Sequence, residues 1–158
     1  MISLGCAKNL VDAEVMMGSL LKQGFEITNE NAEADALIVN TCSFIDAAQE
    51  ESVDTILEST EFRENTNTGQ AVIVSGCLSQ RYRKELPKLM PEVDAFMGID
   101  QVEQVGDIVR KAVDNRESRL GQAEEKPNND ETKRAVAELV ADDEGEQPAT
   151  PASRWSTY

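Results

Sequence analysis

Three cysteines carry the chemistry that this sequence offers beyond packing: Cys6 in SLGCAKN, Cys42 in VNTCSFI and Cys77 in VSGCLSQ. They lie far apart along the chain and form no CxxC pair, and the sequence contains no histidine. Spacing alone is therefore a weak signal. The stronger one is that each cysteine follows a short apolar run and precedes a helical pattern. Three thiolates without an imidazole suit a soft centre, either an iron–sulfur cluster or a zinc ion completed by an acidic side chain. A redox pair with one spare thiol and three merely buried cysteines are the competing readings. Gly5 and Gly76 directly precede two of the thiols, where a missing Cβ allows a tight turn and a close approach. Lys8 and Asn9 flank Cys6. Lys8 can offset negative charge or remain solvated; Asn9 can donate to a sulfur or cap the following helix. Asn40 and Thr41 can shape the turn before Cys42, and Ser43 can cap the helix after it. Gln80 and Arg81 lie close to Cys77.

The elements that would position these thiols alternate. Ile2–Leu4 reads as a short strand. A helical pattern over 10–24 puts Leu10, Val11, Met17, Leu20 and Leu21 on one broad face and stops at Gly24. Phe25–Thr28 reads as a short strand, and ALIVN (36–40) as an interior strand covered on both faces. Ile45, Ala48, Ser52, Ile56 and Leu57 recur at helical spacing, and EFRENTNTGQ (61–70) reads as a polar loop. AVIVS (71–75) repeats the strand pattern. Leu78, Tyr82, Leu86 and Leu89 mark a helix that Pro87 bends or ends. Val93–Met97 reads as a weak strand. A helix over 100–113 buries Val102, Val105, Ile108 and Val109, with Asp100 as its cap and Glu103 closing a capping box. Short connections in a βαβα order predict a three-layer α/β domain with a mostly parallel sheet. Ligands of such sheets collect beyond the carboxyl ends of the strands, and all three cysteines fall at that edge.

The chain of 158 residues carries 30 acidic and 15 basic residues, a formal net charge of -15. That balance argues against a nonspecific phosphate-binding face and gives no sign of direct nucleic-acid binding, while leaving a basic protein partner open. No apolar run approaches the roughly 20 residues of a membrane span. An odd cysteine count rules out a fully paired disulfide framework and points to a reducing, cytoplasmic setting. Residues 1–115 read as the folded domain. Residues 116–158 read as an acidic flexible linker or atypical tail containing Pro127, Pro148, Pro151 and Trp155, with AVAELV (135–140) forming one helical turn or two.

GCAKNLVDAE (5–14), NTCSFIDAAQEES (40–52) and GCLSQRY (76–82) together resemble the three signatures of the methylthiotransferase N-terminal domain (UPF0004), over about residues 2–113. The first two are closer to the RimO type, which modifies a ribosomal protein, than to the MiaB type, which modifies tRNA. The resemblance implies that Cys6, Cys42 and Cys77 ligate an auxiliary [4Fe–4S] cluster with one iron left open, with Lys8, Asn9, Asn40 and Ser43 as supporting residues. It implies methylthiolation of an aspartate β-carbon in a small-subunit ribosomal protein. The complete enzyme would need a second [4Fe–4S] cluster and S-adenosylmethionine on a radical domain, followed by a TRAM domain. The C-x-x-x-C-x-x-C motif of that radical domain is absent from these residues. On this reading the chain is a transferase fragment, inactive by itself, with a first strand shorter than usual. A tRNA-modifying domain and a non-catalytic α/β interaction domain with unligated cysteines remain the alternatives, and a flavodoxin-like or response-regulator-like domain is a weaker one.

Overall fold

The two β-branched runs form neighbouring strands at the centre of a four-stranded parallel sheet. The structure is a computed structural model that describes residues 1–120 and 128–144. In chain order its main elements are β1 (Ile2–Ser3), α1 (Ala7–Lys22), β2 (Ala36–Thr41), α2 (Asp46–Thr66), β3 (Ala71–Gly76), α3 (Cys77–Arg81), α4 (Leu86–Leu89), β4 (Ala95–Phe96), α5 (Val105–Arg119) and α6 (Asn129–Glu144). Strand order is β1-β2-β3-β4, and every pairing is parallel. Alternation along the central strands sorts their side chains to two faces. Ile38 and Ile73 meet Met16 and Leu20 of α1 and Val105, Val109 and Ala112 of α5. Val39 and Val74 meet Val53, Ile56 and Leu57 of α2, together with Leu78, Tyr82, Leu86 and Val136. The expected three-layer α/β domain with a parallel sheet is the fold observed.

Several local expectations change. Phe25–Thr28 forms no strand: the Phe25 amide is taken by the Leu20 carbonyl at 3.1 Å, and its ring lies 4.9 Å beneath the Arg110 guanidinium. The buried face of α1 is Asn9, Ala13, Met16 and Leu20, whereas Leu10, Val11 and Leu21 are exposed. The face is rotated because Asn9 is buried with its hydrogen bonds satisfied. The supposed loop at 61–70 is largely helix, since α2 runs to Thr66 and buries Arg63. The helix after Cys77 breaks over Tyr82–Glu85, and Pro87 stands in the first turn of α4. At that position the missing N–H costs no helical bond. A 3-10 turn over Ile99–Gln104 precedes α5, and the Gln101 side chain accepts the Gly98 amide at 3.1 Å. Asp100 pairs with Arg83 at 2.7 Å and is not the cap. AVAELV lies within the 16-residue α6, which buries Val136 against α2 and α4 and pairs Lys133 with Asp54 at 2.8 Å. Pro127, Pro148, Pro151 and Trp155 fall outside the described residues.

Candidate metal centre

Strand register brings the three thiols to one edge. Thr41 is level with Gly76, so the next residue of each strand sets Cys42 beside Cys77. Ser3 is level with Asn40, which carries Gly5 alongside Cys42. Adjacent strands are about 4.8 Å apart, and the glycines record how tightly the loops meet. A Cβ on Gly5 would sit 2.5 Å from the Cys42 Cβ and 2.6 Å from its Sγ. A Cβ on Gly76 would sit 2.3 Å from the Thr41 carbonyl oxygen and 2.7 Å from Asn40 Oδ1. Both glycines have positive φ, +86° and +98°, so space and backbone conformation each demand glycine there.

The three loops are not equivalent. Cys6 is exposed and directly precedes α1, Cys42 is buried, and Cys77 is partly buried as the first residue of α3. The Cys6 thiol titrates below its ordinary value, chiefly because the backbone N–H groups of Asn9 and Lys8 lie close to its sulfur at the helix start. Burial pushes the Cys77 thiol up, and the neighbouring Cys42 adds to that. Cys42 is pinned through its backbone. Its N–H donates to Ser52 Oγ at 3.0 Å, and the same hydroxyl lies 3.0 Å from its carbonyl and 2.7 Å from that of Ala48.

The flanking residues divide. Asn9 and Asn40 are wholly buried and bonded to each other's segments: Asn40 Nδ2 donates to the Asn9 carbonyl at 2.8 Å. Asn9 is in the first turn of α1 and is not its cap. Asn40 and Thr41 belong to β2 itself, and Thr41 Oγ1 donates to the Ser75 carbonyl at 2.5 Å. Ser43 does not cap α2, whose N-terminal flanking residue is Ile45; its carbonyl instead faces the Arg81 guanidinium at 3.5 Å. Lys8 points to solvent and pairs with Asp12 at 2.6 Å, the main reason its ammonium is held above the usual range. Ser52 is a functional-looking residue that the sequence reading left in a helical stripe; only its distant partner, the Cys42 backbone, reveals its role.

Among the described residues, no three His, Cys, Asp or Glu side chains gather tightly enough to ligate one ion. A cluster makes a different demand, because its cysteines bind separate irons at separate corners. The donor set fits such a group: thiols only, at one sheet edge, with glycine on the inner side of two loops and a helix start at Cys6 and Cys77. A buried acceptor beside them, Asn40 Oδ1, has no partner.

Residues 1–98 match the profile of a family described as "Uncharacterized protein family UPF0004". Similar curated proteins are each named "Ribosomal protein uS12 methylthiotransferase RimO". One from Akkermansia muciniphila is 53% identical over 116 residues, covering 72% of this chain and 26% of the relative. One from Solibacter usitatus is 53% identical over 107 residues, covering 68% and 23%. A third, from Caldicellulosiruptor saccharolyticus, is 44% identical over 126 residues, covering 80% and 28%. The chain thus spans about a quarter of the length of the curated relatives it matches.

Proposed function

The chain belongs to the UPF0004 family as a domain homologous to the N-terminal part of RimO-type methylthiotransferases, and on that premise we propose that it holds the auxiliary [4Fe–4S] cluster of such an enzyme. Cys6, Cys42 and Cys77 would be the ligands, within a cluster-binding unit whose folded part takes in α5 as far as Arg119 and the packed helix α6. The observation that supports the reading is the placement of the three cysteines at the carboxyl edge of the sheet, with Gly5 against Cys42. A cluster held by three cysteines keeps one iron for an exogenous sulfur species, and that is the chemistry it would supply.

The protein's own residues do the positioning. Ser52 fixes the Cys42 backbone, Gly5 and Gly76 admit close approach, and the first amides of α1 favour the anionic form of Cys6. The proposed substrate of the complete enzyme is a small-subunit ribosomal protein, which the names of the relatives and the acidic charge of this chain, suited to a basic partner, support; the motif resemblance adds an aspartate β-carbon as the modified atom. Radical generation from S-adenosylmethionine would fall to a second cluster in a separate domain, since the three cysteines of this chain are already used. Among the described residues no helix is long and apolar enough to cross a membrane, and we place the enzyme in the cytoplasm.

Anaerobic reconstitution of the chain, followed by iron and sulfide analysis, tests the reading. The expected result is about four irons and four sulfides per chain with a broad thiolate-to-iron absorption band. Iron well below that level in folded protein, without the band, overturns it in favour of an interaction domain with unligated cysteines.

A further inference from the structure

One side chain reaches all three thiol loops. Asn9 Nδ2 donates to the Leu4 carbonyl at 2.9 Å, two residues before Cys6, and to the Thr41 carbonyl at 2.7 Å, directly before Cys42. Its Oδ1 faces the Cys77 sulfur at 3.7 Å. Its own carbonyl accepts Asn40 Nδ2 at 2.8 Å, which ties the first turn of α1 to the end of β2. The residue is wholly buried. The amide orientation follows from its neighbours: both Nδ2 hydrogens face carbonyl oxygens, and a flipped amide would set oxygen against oxygen twice.

We propose that Asn9 is the positioning residue of the thiol edge, a clasp that holds the Cys6, Cys42 and Cys77 loops in mutual register before any cluster is present. The inference rests on the cluster reading for its purpose but not for its geometry. Asparagine alone fits the place. Aspartate has the shape without the two donors, an aliphatic side chain leaves both carbonyls without this partner, and glutamine is longer by a methylene in a site without spare room. The loops are otherwise tied in pairs: the Leu4 amide to the Asn40 carbonyl, and the Thr41 hydroxyl to the Ser75 carbonyl. Without Asn9 the loops would keep those anchors and lose their common link.

The test compares Asn9→Ala with Val109→Ala, a core truncation on α5, at matched urea stability. Amide hydrogen exchange is read at Leu4 and Cys42 in the unloaded chain, then iron content and absorption after anaerobic reconstitution. Asn9→Ala is expected to speed exchange at both amides roughly tenfold beyond the matched control, the loss of about one to two hydrogen bonds, and to lower bound iron while the control loads fully. Equal exchange and equal loading in the two variants overturn the proposal. If Asn9→Ala does not fold, the side-chain amide protons of Asn9 in the unsubstituted chain decide. Exchange at least about tenfold slower than at the exposed Asn31 upholds the clasp, and exchange as fast as at Asn31 removes it. An unsubstituted chain that takes up no iron sinks the cluster reading, while the exchange measurement still judges Asn9. Full loading of Asn9→Ala with unchanged exchange removes the clasp and leaves the cluster reading standing.

Discussion

The two ends of the sheet solve opposite problems. At the amino ends of the strands, Asp94 is wholly buried and its charge is fully met: Oδ2 accepts Arg63 Nη1 at 2.9 Å and the Val72 amide at 2.8 Å, and Oδ1 accepts Arg119 Nη1 at 3.1 Å. Glu64 joins Arg63 to Arg116, each at 2.9 Å, and Arg116 continues to the Thr68 carbonyl. At the carboxyl ends there are three thiols and the two buried amides of Asn9 and Asn40. The first edge is closed by charges that complete one another and serves stability. The second is organised by neutral hydrogen bonds and keeps its three cysteines as free thiols.

The contrast is sharpest when each edge is damaged. Asp94→Ala would leave Arg63 buried without its main counter-charge, and a loss of about 3–5 kcal/mol is expected in urea unfolding. Iron uptake per folded molecule should stay unchanged; a parallel fall in uptake would mean that the two edges are not independent. Gly76→Ala acts on the other edge. Its positive φ costs about 1–3 kcal/mol, and the new Cβ would press on the Thr41 carbonyl, so cluster loading should fall further than the loss of stability accounts for. Loading equal to the parent chain would show that the Gly76 approach does not position Cys77.

Some of this was legible in the sequence and some was not, for a common reason. β2 and β3 announce themselves as β-branched runs, and the residue after each run marks the thiol edge. Asn9 and Arg63 mislead because polar residues read as exposed. Asn9 is buried by partners in two other loops, which turns the α1 face away from Leu10 and Val11. Arg63 is buried by Asp94, 31 positions later, which turns an expected loop into the last turn of α2. Local pattern cannot show a long-range partner. Residue types alone likewise made the three cysteine loops look alike, whereas burial and the helix starts set the thiols apart.

That difference predicts a smaller effect within the thiol edge. In the unloaded chain Cys6 should be alkylated first and Cys42 last. The reactivity of Cys6 should rise at lower pH than that of Cys77, because helix-start amides lower the first thiol and burial raises the second. Peptide mass mapping across a pH series checks this, and Cys77 reacting ahead of Cys6 would contradict it. The smallest effect belongs to Lys8. Its pair with Asp12 lies at the surface, so Lys8→Met should cost less than about 1 kcal/mol and leave iron loading intact. A large loss of loading would give Lys8 a role in offsetting cluster charge.

In the proposed function the carboxyl edge binds one cluster through Cys6, Cys42 and Cys77 together. Alkylation of the anaerobically loaded chain, followed by chelation and a second round with a distinguishable reagent, tests it most directly. All three thiols should be protected while the chain is loaded and all three should become labelled after iron removal. Any one of them reacting at the same rate in both states would contradict the account.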